Sequence, residues 1–135
     1  MASDPTPFQR EIAPLLEDLF ASANAHDADR HVALYWRDAA LIFIVNGEII
    51  RGWDAYREEQ RKWWDGGRAT GTYVLVGDPA YEALDDDCGL TTFAMRARSK
   101  SPDGRIGERQ IVFTGLWRRR PEGWRIVYAH ESSTR

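Results

Sequence analysis

The apolar positions near the start of the chain fall on one helical face. Phe8, Ile12, Leu15, Leu16, Leu19, Phe20 and Ala23 recur at the spacing of an amphipathic helix. Pro14 interrupts the run. Proline is best tolerated in a first helical turn, so the regular helix is expected near Ala13, with an irregular turn before it. Asn24 to Asp27 breaks the pattern, and Asp27 can cap a second helix running to about Trp36. Ala39 to Val45 reads as a buried strand. Asn46-Gly47 is a hairpin turn, because both central positions of a type I′ turn need positive φ. Glu48 to Arg51 returns as the second strand. Gly52 closes it, and Asp54 can cap a third helix, Ala55 to about Asp65, terminated by Gly66-Gly67. Three long strands follow, about Thr70 to Leu84, Gly89 to Ser99 and Arg105 to Arg119. Pro79 marks a bulge or an edge in the first, and Ser101-Pro102-Asp103-Gly104 turns the second into the third.

The last stretch, Gly115 to Ser132, is a hairpin around Pro121-Glu122-Gly123. In its second strand Trp124, Ile126, Tyr128, His130 and Ser132 alternate with Arg125, Val127, Ala129 and Glu131. The first set begins apolar and becomes polar, as in a strand that leaves a core for the mouth of a cavity. Helices, two short strands, a helix and then long strands make an α+β domain.

Composition narrows the picture. The chain has 135 residues, 43% hydrophobic and 29% charged, enough for one globular domain with a real core. Six Trp, five Tyr and five Phe suit a filled core or an aromatic-lined pocket, and the two are compatible. The net charge of -3 gives no electrostatic case for nucleic acid, and Arg118 to Arg120 reads as a solvated hairpin end. Cys88 is the single cysteine, so no intrachain disulfide or cysteine metal site is expected, and a small buried hydrophobe is its simplest role. No segment has the length and apolarity of a signal core or a membrane span, which leads to an expected cytoplasmic location. Three scattered histidines do not make a zinc site, and His26 and His31 read as structural. No phosphate loop, nucleophile elbow or dinucleotide fingerprint is present, so no cofactor is expected.

Trp117, Gly123, Trp124, Ile126, His130 and Ser132 in the final hairpin resemble the ending of the SnoaL-like and nuclear transport factor 2-like superfamily. That superfamily includes ketosteroid isomerase, polyketide cyclases, scytalone dehydratase and the association domain of calcium/calmodulin-dependent kinase. Asn24-Ala25 with Asp27, Leu34-Tyr35 with Asp38-Ala39, and Gly52 with Asp54-Ala55 extend the resemblance. It implies one domain over residues 8–133 behind a flexible arm at 1–7. The implied fold is a cone-shaped curved antiparallel sheet wrapped around N-terminal helices, a cystatin-like α+β barrel. Laid over the same motifs, the tyrosine, base and second acid of ketosteroid isomerase fall on Leu19, Phe43 and Gly115, so that mechanism is expected to be absent. The pocket arginines of the association domain fall on Phe93 and Gly115. Gly115 in mid-strand suggests a kink or a close approach by a ligand.

Strand phase then selects the cavity. His130, oriented by Tyr128, is the candidate acid/base, since imidazole titrates near neutrality. Tyr35, Phe43, Tyr56, Gln60, Trp63, Phe93, Met95, Arg109, Phe113, Trp117 and Ser132 are the candidate ligand-binding residues, and no metal ligand is among them. Such apolar walls with a few polar groups are typical of small-molecule sites. Three functions fit: a pocket for a small hydrophobic or aromatic molecule, a cofactor-free lyase, isomerase or cyclase using His130, or a homo-oligomerisation module. Val112, Leu116 and Val127 on the outer face suggest a homodimer.

Overall fold

The computed structural model describes Asp4 to Thr134. Met1 to Ser3 of the expected arm lie outside the described residues. Within them Thr6 is already a cap: its Oγ1 accepts the Gln9 amide at 3.1 Å, and helix α1 runs Pro7–Asn24. It therefore begins earlier than the proline rule suggests, and Pro14 lies inside it. Pro14 is exposed, so the carbonyl that loses its partner there faces water, while Phe8, Ile12, Leu16 and Leu19 remain buried on the other side. Asp27 caps α2 as expected, but α2 is only Ala28–Val32. β1 (Ile42–Val45) and β2 (Glu48–Arg51) flank Asn46-Gly47, with φ of 46° and 87°. The N-cap of α3 (Trp53–Trp63) is Gly52 rather than Asp54, which stands in the first turn. Then come β3 (Thr72–Asp85), β4 (Cys88–Lys100), β5 (Ile106–Arg120) and β6 (Gly123–Ser133).

The six strands form one curved, unclosed sheet in the order β2-β1-β6-β5-β4-β3. All pairs are antiparallel except β1 with β6, which run parallel, so the sheet is mixed. That pair is joined through most of the chain, not by a hairpin, which leaves the parallel direction open. β3 is an edge strand, and its register breaks between Val76 and Ala80, around Pro79. No helix of the described residues is long and apolar enough to cross a membrane.

The register break between β5 and β6 decides the position of the site. Leu116 pairs with Tyr128 and Trp117 with Ile126, leaving Val127 as an extra residue on β6. Such a bulge reverses the facing of everything beyond it. Trp124 and Ile126 point into the core as alternation predicts, but beyond the bulge Ala129 is fully buried while Tyr128 is 44% exposed. Tyr128, His130 and Ser132 thus stand on the outer face, beside Leu90, Val112, Thr114 and Leu116. Val127, expected outside, is buried.

The helices pack on the inner face with little slack. An added Cβ at Gly89 would lie 2.5 Å from the Phe8 ring, so the aromatic ring at the start of α1 rests on the bare backbone of β4. Gly115 serves a similar end: its Cβ would meet the Phe113 ring at 2.9 Å, so the close neighbour is a side chain of the same strand and not a ligand. Gly89→Ala is expected to destabilise the fold by about 1–3 kcal/mol through overpacking. In a Phe8→Ala background most of that extra cost should vanish, and urea melts of the four proteins in the cycle measure the coupling.

Candidate functional site

A cavity of about 410 Å³ lies between the helices and the inner face of the sheet. Its floor can be read from the strand register. Val45 pairs with Glu131, Glu131 with Phe113, and Phe113 with Phe93, giving one continuous rung across β1, β6, β5 and β4. The next rung towards the rim is Ser133, Ile111 and Met95. Phe93 and Phe113 stack at 5.0 Å, and Phe20 of α1 covers Phe93 at 4.9 Å. The helical wall is also aromatic. Phe43 stacks on Tyr56 at 4.3 Å, and Tyr35 tilts against Tyr56 at 4.6 Å.

Of the residues chosen from sequence, Tyr35, Phe43, Tyr56, Gln60, Trp63, Phe93, Met95, Arg109 and Phe113 line this cavity. The other four do not. His130, Tyr128 and Ser132 are carried outside by the bulge. Trp117 is fully buried below the cavity, its Nε1 donating to Thr91 Oγ1 at 3.0 Å, and it serves the core. His26 donates from Nε2 to the Gly71 carbonyl at 2.6 Å, a structural tie.

The cavity also contains Glu131, which strand phase placed outside, and His31, which the sequence read as structural. Glu131 takes the cavity position expected for His130. Its carboxyl makes no hydrogen bond or ion pair among the described residues. Burial raises its pKa from 4.5 to about 7, and Arg109, another cavity residue, pulls it back only in part. His31 also borders the cavity, with its ring edge-on to Trp64 at 4.8 Å. Its Nδ1 lies 3.1 Å from the Leu19 carbonyl and 2.9 Å from Ser22 Oγ. The carbonyl needs a donor, so Nδ1 carries the proton and Nε2 keeps its lone pair. Burial lowers the His31 pKa to about 4, so the ring is neutral at ordinary pH. Burial also raises the Tyr35 and Tyr56 pKa values well above the usual phenol range, so both stay hydroxyls. The signal for Glu131 was present in the sequence: the adjacent apolar pair Ile126-Val127, which strict alternation cannot bury.

Chemically, the arrangement is an aromatic chamber in which the Glu131 carboxyl is poised to gain or lose a proton near neutrality, with Glu48 and Arg109 also in its lining. Among the described residues no group of three His, Cys, Asp or Glu side chains converges to hold a metal.

Residues 12–135 match the SnoaL-like domain family. The chain belongs to that family. The fold of this SnoaL-like domain recurs in solved structures of low identity. A nuclear transport factor 2-like superfamily protein from Salmonella enterica superposes with a TM-score of 0.80 at 21% identity, covering 95% of this chain and 92% of its own. A ketosteroid isomerase-like protein from Erwinia carotovora gives 0.78 at 14% identity, covering 97% and 99%. An uncharacterised protein with a cystatin-like fold from Caulobacter vibrioides gives 0.78 at 18% identity, covering 96% and 92%. At these identities the likeness is one of fold. No curated protein matches the chain.

The two shifted groups of this SnoaL-like domain act on stability in opposite directions. Glu131 binds its proton more tightly folded than unfolded, so its contribution is fully present below pH 4.5 and is lost as pH rises through about 7. His31 binds its proton less tightly folded, so its contribution is present above pH 6.5 and is lost as pH falls through about 4. In the wild type the slopes offset each other over the shared window. Glu131→Gln is expected to match wild-type stability near pH 4 and to exceed it by up to about 3 kcal/mol at pH 8. Urea melts across that range check the sign and the crossover.

Proposed function

We propose that this SnoaL-like domain takes a small, largely apolar molecule into the cavity and moves a proton on it with Glu131. The observation that carries the reading is the placement of Glu131: an ionisable carboxyl without a protein partner among the described residues, set in a rung of aromatic side chains. A carboxyl whose proton affinity sits near the working pH can serve as base or acid. Tyr35, held neutral, can donate to an oxygen that gains charge. A lyase, isomerase or cyclase reaction through an enol fits these groups, and the acid/base role passes from His130 to Glu131. A cytoplasmic location belongs to the same reading.

Proton transfer from carbon can be tested before any substrate is known. 2-Acetylnaphthalene offers an aromatic body and exchangeable protons beside a carbonyl. The wild type is expected to accelerate exchange of its methyl protons into heavy water, with a rate rising through about pH 7. Glu131→Gln should lose at least about 100-fold of that acceleration. A probe that binds without enhanced exchange would leave binding alone as the function.

The outer face supports a second element of the reading, a homodimer. Leu90, Val112, Leu116 and Tyr128 form an apolar patch there, with Val112 42% and Tyr128 44% exposed. Sedimentation velocity at micromolar concentration should show a dimer for the wild type and a monomer for Val112→Arg/Tyr128→Arg. A monomeric wild type would remove this element and leave the cavity reading intact.

A further inference from the structure

Gln60 is 4% exposed and stands in the cavity wall. One helical turn before it, Tyr56 donates its hydroxyl proton to Gln60 Oε1 at 3.0 Å. That bond distinguishes the two ends of the amide. The oxygen is taken, so the nitrogen turns the other way, and Nε2 has no acceptor among the described residues. Nor is it sealed in protein. Among the described residues the fully enclosed side-chain polar atoms without a partner are Arg120 Nε and Trp124 Nε1, so Gln60 Nε2 borders open cavity space. Tyr56, the partner at this end of the amide, is itself fully buried between the rings of Phe43 and Tyr35. A buried amide with one end satisfied and the other facing a chamber is costly to leave unpaired.

We propose that Gln60 is the polar anchor of the cavity, donating from Nε2 to an acceptor oxygen on a ring-bearing apolar ligand, and that this bond selects carbonyl compounds over hydrocarbons of the same shape. Tyr56 is its positioning residue. The inference rests on the reading that the cavity takes a small molecule. Among the other cavity groups the Tyr35 hydroxyl is also a neutral donor, and it is unchanged in both variants of the test. The free nitrogen of His31 is an acceptor, Glu131 accepts when ionised, and Arg109 is exposed to water that competes for its bonds.

The test uses the full chain and two probes, 2-acetylnaphthalene and 2-ethylnaphthalene, which differ in one oxygen. Dissociation constants come from quenching of tryptophan emission, since Trp63 lies in the cavity wall. The quantity read is the ratio of the two constants, compared between proteins, so that the solvation of each probe cancels. Gln60→Met keeps an unbranched side chain without the amide and is expected to lower the preference for the ketone about tenfold. Tyr56→Phe frees the amide to turn and should lower the preference by a smaller factor. It carries the test alone if Gln60→Met does not fold. An unchanged ratio in the folded variants, with both probes bound, overturns the anchor and leaves the cavity reading standing. A wild type that binds neither probe overturns the cavity reading and the anchor together.

Discussion

The extra residue at Val127 is the constraint on which the site depends. β6 has two duties with opposite phases. Near the hairpin turn it must bury Trp124 and Ile126 against the inner helices, and further on it must pair with β1 and β5 around the cavity. A strand of period two cannot keep one phase and also bury both Ile126 and Val127. The bulge resolves the conflict by inserting one residue opposite Leu116 and Trp117. From there Ala129 pairs with Phe43 and Glu131 with Val45, which joins the short first strand to the long ones and completes the cavity floor. His130 goes to the outer face by the same step.

Much of the fold was legible because its signals are local. The Asn46-Gly47 turn, the Asp27 cap and the long strands each follow from residues within a few positions of one another, whereas α3 stops at Trp63, before the expected Gly66-Gly67 terminator, with Asp65 already at a φ of 49°. The misreadings came where a tertiary contact overrides the local rule. Pro14 reads as a helix boundary, but its ring faces water and the buried side of α1 continues past it. Gly115 reads as room for a ligand, but the room is filled by Phe113. The helical and β4–β5 walls of the cavity were found from periodicity, because Tyr56, Gln60, Phe93 and Phe113 lie on uninterrupted elements. The β6 wall was lost because one inserted residue changes every facing beyond it.

The treatment of carboxylates within this one chain bears on what Glu131 is for. Asp29 is exposed between Arg57 and Arg61, and the Arg61 hydrogen bonds hold its carboxyl below the usual range. Asp87 and Glu11 both pair with Arg119, tying the β4–β5 end of the sheet to α1. Surface pairs of this kind add little stability each, but each leaves its acid satisfied. Glu131 is handled in the opposite way: it is drawn into an aromatic chamber, left without a donor among the described residues, and allowed a proton affinity near neutrality. A carboxyl that served packing alone would be better replaced by its amide, which fits the same space without the cost of a buried charge. The arrangement makes chemical sense if the missing partner is a molecule that enters the cavity. Its apolar body would replace water against the rings, and its proton would be shared with Glu131, whose proton affinity lies near pH 7.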